Sequence, residues 1–314
     1  MSLTQRLRDQ IESLVAYKGQ GQTFYVQQQS VSAEAGTEYV DQDFINSFKG
    51  PGKVFNTLAD AVGACVSGRG DEIVLLPGWY SIAAAITLSK SDVTIRSLSS
   101  EKKRNTVLDI TGGGIVGLTV SGSDCTVKDL TFATGHASDD CLKITGMSTS
   151  VLGCEFRAGG AAGDGVIVSN ASADDLDAAY VTIKGCTFGG LDNSIDIAST
   201  GDTTGSIQYL TVEDCVFLGG AGGTGSYYIG MSGDWEDDHG LTGALFKDLT
   251  MEKANAQFYM EIKNKTSCYG IITGVSFDGT TADVVFKNVH GSNLGWSRNY
   301  PGDSVTTLAD KPTS

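Results

Sequence analysis

The chain has 314 residues, 40% of them hydrophobic, with 41 glycines, only 4 prolines and a formal net charge of −15. That charge argues against nucleic acid as a ligand, since binding there depends on neutralising phosphates with Lys and Arg. No run of about 18 apolar residues is present, which excludes a membrane-spanning helix.

Residues 1–54 predict a helical arm, a short strand and a linker. The opening "SLTQRLRDQIESLVAY" places Leu3, Leu7, Ile11 and Leu14 on one apolar stripe, with Ser2 or Thr4 as N-cap. Such a helix either packs on its own domain or serves docking and oligomerisation. It lacks the apolar core of a secretory signal, so synthesis in the cytoplasm is expected. A strand comes next in "GQTFYV" (21–26), then a polar linker over 27–53. In "FNTLADAVGACVSG" (55–68), Phe55, Leu58, Ala59, Val62 and Val66 recur at helical spacing. Asn56 or Thr57 supplies a cap. The predicted helix plugs the N-terminal end of a coiled β-domain, covering strand edges that otherwise aggregate.

The dominant signal is a repeat. Segments such as "TVKDLTF" (126–132), "SVLGCEF" (150–156), "VTIKGCTF" (181–188), "LTVEDCVF" (210–217) and "LFKDLTM" (245–251) share one pattern. Their fourth-position apolar residues are Leu98, Leu130, Cys154, Cys186, Cys215, Leu249, Val275 and Val289. A second alternating strand comes after most of them, as in "GLTVSG" (117–122), "CLKITG" (141–146) and "GVIVSN" (165–170). Two or three short strands per unit of about 25–30 residues describe a parallel β-helix, whose coils bury their inward faces only by stacking. Cys154, Cys186 and Cys215 then read as an inward ladder of small hydrophobes. The Phe column Phe132, Phe156, Phe188, Phe217 and Phe277 reads as core. With 7 cysteines, 3 histidines and no CxxC pair, neither a zinc site nor a cofactor is expected. The pattern ends near residue 290, and 291–314 reads as an irregular tail in which Trp296 and Tyr300 cover the last edge or touch a neighbouring subunit.

Aligned second strands place Asp140 over Asp164 on the next coil, with Asp139 and Asp192 nearby. No catalytic residue is assigned. The first reading of this acidic stack is turn structure, because Asp side chains satisfy local backbone groups. The others are oxygen ligands for a cation and a carboxylate pair acting on a glycoside. A second candidate, "GSYYIGMSGDWEDDHG" (225–240), sets Tyr227, Tyr228 and Trp235 among acidic residues. It reads as an exposed loop meeting a subunit neighbour, or as a sugar-stacking surface.

The stretch from "FNTLADAVG" through "IVLLPGWYSI" to "DVTIRSLS" (55–99) resembles the opening of the right-handed β-helix, pectate-lyase-like superfamily, with Pro77, Gly78 and Tyr80 on its Pro-Gly-x-Tyr motif. The resemblance covers roughly 55–290. It implies an all-β fold: a single-stranded right-handed parallel β-helix (solenoid), with an N-terminal amphipathic helix and a helix capping the N-terminal end of the coil. By layout, with a short amphipathic helix, a strand, a capping helix, Cys-bearing coils and no secretion signal, the chain is similar to β-helix proteins of tailed-bacteriophage virions. That implies a capsid decoration or accessory role in the virion as a homotrimer, with phage capsid or other virion proteins as partners. The alternative is a carbohydrate-active β-helix of the tailspike depolymerase kind. "SDDCLKI" (138–144) is similar to the Asp-Asp-Cys stretch of polygalacturonases, but their companion Asn-Thr-Asp, His-Gly and Arg-x-Lys motifs are missing from the neighbouring coils. Pectate lyases use an arginine beside bound calcium, and no arginine stands between Arg157 and Arg298.

Overall fold

A computed structural model describes residues 21–27, 54–98, 105–136, 138–159, 163–170, 178–199, 205–219, 227–233, 235, 240–252, 258–262, 268–277, 286–287 and 293–301. Every strand pairing among them is parallel, and the strands form three long sheets of 12, 9 and 8 strands. Sheet 1 runs from Val54–Phe55 and Thr23–Val26 through Asp71–Leu75 and Val93–Ser97 to Asn293–Ser297. Sheet 2 begins at Gly78–Ile82, and sheet 3 at Ile86–Leu88. Each coil contributes one strand to each sheet in turn, and the next coil pairs residue for residue. Val127, for example, pairs with Ile95 on one side and Val151 on the other. The fold is a parallel β-helix.

Period-2 alternation puts one set of side chains inside. Val127, Val151, Ile183, Val212 and Phe246 form one fully buried column in sheet 1. Phe132, Phe156, Phe188 and Phe217 form another in sheet 2, their rings stacked 5.0 Å apart. The next rung of sheet 2 carries Met251, so the aromatic stack leaves this column through Tyr228 and Tyr259 and rejoins it at Phe277.

Two columns of left-handed residues turn the chain at either end of the sheet 1 strands. They occur in pairs five residues apart: Asp124 and Asp129, Ser148 and Gly153, Tyr180 and Gly185, Tyr209 and Asp214, Gly243 and Asp248. The residue after each second member points inward, which places Leu130, Cys154, Cys186, Cys215 and Leu249 in the core. The thiols of Cys154, Cys186 and Cys215 each donate to a carbonyl of the preceding coil. Leu98 does not share this slot and is 47% exposed. The residue before it, Ser97, is not left-handed, so the corner that turns its relatives inward is absent. Val289 lies outside the described residues.

The helix Leu58–Ala64 buries Leu58, Ala61 and Val62, and the Thr57 Oγ1 accepts the N–H of Asp60 at its start. It is the one helix among the described residues, and it packs against the first strands of sheets 1 and 3. The amphipathic segment with Leu3, Leu7, Ile11 and Leu14 lies outside the described residues.

The coil extends beyond the sequence-based boundaries at both ends. Thr23–Val26, read from the sequence as part of the arm, belongs to sheet 1, pairing Phe24 with Ile73 and Val26 with Leu75. The carboxylate of Asp71 fastens this strand to the body. It accepts the N–H groups of Gln22 and Val66 and a bidentate pair from Arg69 at 2.6 and 2.7 Å. At the far end, Asn293–Ser297 and Tyr300–Pro301 add strands to sheets 1 and 2 where the pattern predicts an irregular tail. The inward slot there holds Asn299 instead of an apolar residue. Its amide donates to the Ile272 carbonyl and accepts from Val275 N–H, so a polar side chain sits buried with both ends satisfied.

Candidate functional site

Sheet 3 carries the acidic stack. Leu142 pairs with Val166 and Val166 with Ile195, which aligns Asp140, Asp164, Asn193 and Tyr227 on successive coils. These residues lie where the chain enters each sheet 3 strand. Asp140 Oδ1 accepts the backbone N–H of Asp164 at 2.9 Å, Asp164 Oδ1 accepts from Asn193 Nδ2 at 2.7 Å, and Asn193 Oδ1 accepts the N–H of Tyr227 at 3.2 Å. Each side chain thus ties its coil to the next.

Asp196 joins this group and has no signal in the repeat alignment, where it occupies the ordinary polar slot of "SIDI". Its carboxylate accepts the Tyr227 hydroxyl at 2.6 Å and the Ser232 hydroxyl at 2.7 Å. Gly230 makes this possible. A Cβ there would stand 2.4 Å from the Tyr227 ring, so only glycine lets the ring lie flat across the strand.

Burial pushes Asp164 up to about 7, with the Asp196 and Asp140 charges adding to the effect and the Asn193 amide opposing it. Burial also raises Asp140, relieved in part by the Asp164 N–H. Asp192 adds a smaller repulsion to Asp164. Asp139 is not part of the stack. Its side chain is fully buried and accepts the N–H groups of Gly113 and Ile115, so it builds the turn of the preceding coil. Cys141 is buried, and burial together with Asp140 and Asp164 drives its thiol far up, away from the thiolate a nucleophile needs.

A carboxyl group near neutrality beside a second carboxylate can exchange a proton with a bound ligand. The stack does not converge on a cation. The carboxylate oxygens that do converge among the described residues, those of Glu213, Asp214 and Asp248, are already paired with Lys184 and Lys247 at 2.6–3.5 Å.

The segment with Tyr227, Tyr228 and Trp235 is not an exposed loop. Tyr227–Ser232 is a strand of sheet 3, Tyr228 sits in the aromatic stack of the core, and Trp235 is buried with its Nε1 donating to the Ser232 carbonyl. The buried run from Tyr227 to Met231 continues the sheet 3 ladder, pairing Ile229 with Ile195 and Met231 with Ile197, and its glycine-rich flanks obscure this in the sequence.

No family model and no curated protein matches the chain. Among solved structures it is similar to ORF18 of Geobacillus virus E2, with TM-score 0.47 and 13% identity over 78% of this chain. The match spans 58% of the viral protein's length. Pectin methylesterase from carrot aligns with TM-score 0.48 and 13% identity over 82% of both chains. An alginate lyase from Paenibacillus sp. aligns with TM-score 0.34 and 17% identity over 78% of this chain and 96% of that one.

Proposed function

We propose that this chain is a structural protein of a bacteriophage virion, a right-handed β-helix that decorates or reinforces the particle and performs no reaction of its own. The observation that supports a mechanical role is the bonding of the acidic stack. Asp140 and Asp164 each accept a hydrogen bond that joins one coil to the next, so the carboxylates a glycosidase would use are engaged in holding the rod together. Virion location, contact with capsid proteins through residues 1–20 and homotrimeric assembly rest on the sequence layout. On this reading the protein is made in the host cytoplasm.

The test is co-sedimentation of full-length and truncated protein with particles. Removal of residues 1–20 should abolish association while leaving the coil folded, and sedimentation equilibrium should give three copies. Particle binding by the truncated protein at full strength would reject the anchor.

A second reading is favoured by one observation, the Asp164 carboxyl held near pH 7 beside Asp140. It is a carbohydrate-active β-helix with these two groups as acid and base. A depolymerisation screen of bacterial surface glycans, with Asp140→Ala and Asp164→Ala as controls, decides it: cleavage that disappears in both variants establishes the enzyme.

A further inference from the structure

Sheet 2 has a second concentration of unusual side chains on its outer face, far from the acidic stack in the repeat. Trp79 stands on the first strand of this sheet and Arg157 on the fourth. Tyr80, Leu108, Phe132 and Phe156 point inward, so the residues on either side point outward in two columns: Trp79 with the buried Val107, Thr131 and Glu155, and Ser81 with Asp109, Ala133 and Arg157. Trp79 is 53% exposed, the most exposed large apolar side chain among the described residues. The Arg157 guanidinium nevertheless lies 5.4 Å from the centre of its ring, within cation–π range. Both side chains therefore run along the sheet and meet across the two intervening strands. Ala133, between Arg157 and Asp109 in the same column, is small enough to let the arginine pass.

Among the described residues, the guanidinium has no carboxylate or carbonyl within hydrogen-bonding distance, although it offers five N–H donors in a plane. The Asp109 carboxyl likewise accepts no hydrogen bond from them. Burial raises it, and the Arg157 charge only partly offsets this. Beside Asp109, the Ser81 and Thr111 hydroxyls lie 3.0 Å apart and exposed. An indole ring under the guanidinium, a planar set of donors, a carboxyl acceptor and a mutually bonded hydroxyl pair thus share one face, with the N–H donors and the Asp109 carboxyl left for a ligand.

We propose that this face binds a neutral saccharide unit of a polysaccharide, with Trp79 against its C–H surface, Arg157 donating to its oxygens and Asp109 accepting from its hydroxyls. The chemistry narrows the class. A free anion would meet Asp109 within reach of Arg157, and a cation would meet Arg157 within reach of Asp109. An apolar ligand would leave both charged groups desolvated without partners, which is costly. A polyhydroxylated ring with one apolar side satisfies all three groups. This site is separate from the acidic stack and goes beyond the structural role proposed above, whose tests do not involve it.

The experiment titrates the full chain with maltohexaose, cellohexaose, mannohexaose and hexagalacturonate, read by calorimetry and tryptophan fluorescence at pH 7. Saturable binding of at least one neutral hexasaccharide is expected, weakened about tenfold or more by Trp79→Ala and by Arg157→Met, and kept in Trp79→Phe. Both positions are outward, and melting curves matching the parent confirm that the variants fold. Three results overturn the proposal: no neutral probe binds, binding survives Trp79→Ala, or only hexagalacturonate binds. A fall in oligomer size in Trp79→Ala would also overturn it, because the face would then be an interface between copies of this chain.

Discussion

Asp140 Oδ1 lies 2.9 Å from the backbone nitrogen of Asp164, one coil further along the rod, and accepts its hydrogen. The bond does for this corner what the strand ladder does within each sheet: it gives a half-buried N–H a partner where the chain is turning. Asp164, Asn193 and Tyr227 continue the relay over two more coils. The acidic column is therefore a staple in its own right, whatever else its charges do.

Asp140→Ala removes the acceptor and leaves the Asp164 N–H in a confined corner, at a cost of about 1–2 kcal/mol. Asp140→Asn keeps an oxygen in place and should cost less. Urea denaturation of the three proteins checks this, and equal stability of the alanine and asparagine variants would show that the bond does not matter.

Two aspartates should give opposite pH dependence. Asp164 titrates near 7 when folded and near the ordinary carboxylate value when unfolded, so the folded state binds more protons between these limits. Its contribution is complete below about pH 4 and is lost as pH rises through about 7. Asp71 behaves in the reverse sense. Burial opposes ionisation there, but the Arg69 guanidinium and the N–H groups of Val66 and Gln22 outweigh it and hold the carboxyl below its usual range. That contribution is present above about pH 4 and is lost as pH falls further. Asp164→Asn should therefore raise stability at pH 8 by roughly 1–3 kcal/mol and leave it nearly unchanged at pH 4. Asp71→Asn should lower stability at pH 7 and converge with the parent in acid. Melting temperatures from pH 3 to pH 9 give both curves.

All seven cysteines are buried and free. In the ladder, burial and the Cys154 thiol push Cys186 well above the ordinary range, and the Cys186 thiol together with burial does the same to Cys215, while Cys65 at the end of the helix rises to about 11 through burial. Thiolate is the reactive form, so iodoacetamide at pH 8 should modify essentially none of them in the folded protein and all of them in guanidinium. Rapid labelling of Cys154, Cys186 or Cys215 by mass spectrometry in native conditions would mean that the coil opens between sheets 1 and 2.

The rungs were legible because their inward residues repeat in kind: Leu, Cys and Val after each sheet 1 strand, Phe two residues later. The ends were not, because the same slot there is filled by different chemistry. Asn299 takes the place of a hydrophobe, and Thr23–Val26 is separated from its partner strand by a long polar segment. Leu98 misled in the opposite way, matching the apolar pattern without the left-handed residue that turns its relatives inward. The alignment of Asp140 over Asp164 could be read from strand register alone, but Asp139 could not be told from Asp140, since only the backbone decides which of two adjacent aspartates faces the turn. The Trp79 and Arg157 pair was invisible to repeat analysis because its members sit 78 positions apart in sequence.

The left-handed column after sheet 1 offers a graded test of how the turns specify the fold. Gly185 has φ +65°, and a Cβ added there would find its nearest neighbours at 3.9 Å or beyond, so Gly185→Ala meets conformational strain alone, about 1–2 kcal/mol. Gly274 has φ +70°, and a Cβ there would stand 2.2 Å from Asp248 Oδ1. Gly274→Ala must therefore add the displacement of Asp248 from its 3.3 Å contact with Lys247 to the same backbone strain. It should be the more destabilising of the two. Gly185→Asn should cost less than Gly185→Val, because Asn tolerates the left-handed region and a β-branched residue does not. Denaturation midpoints should rank parent, Gly185→Asn, Gly185→Ala, Gly185→Val. If valine were accepted as readily as asparagine, the left-handed corner would not be what fixes the position of the Cys ladder behind it.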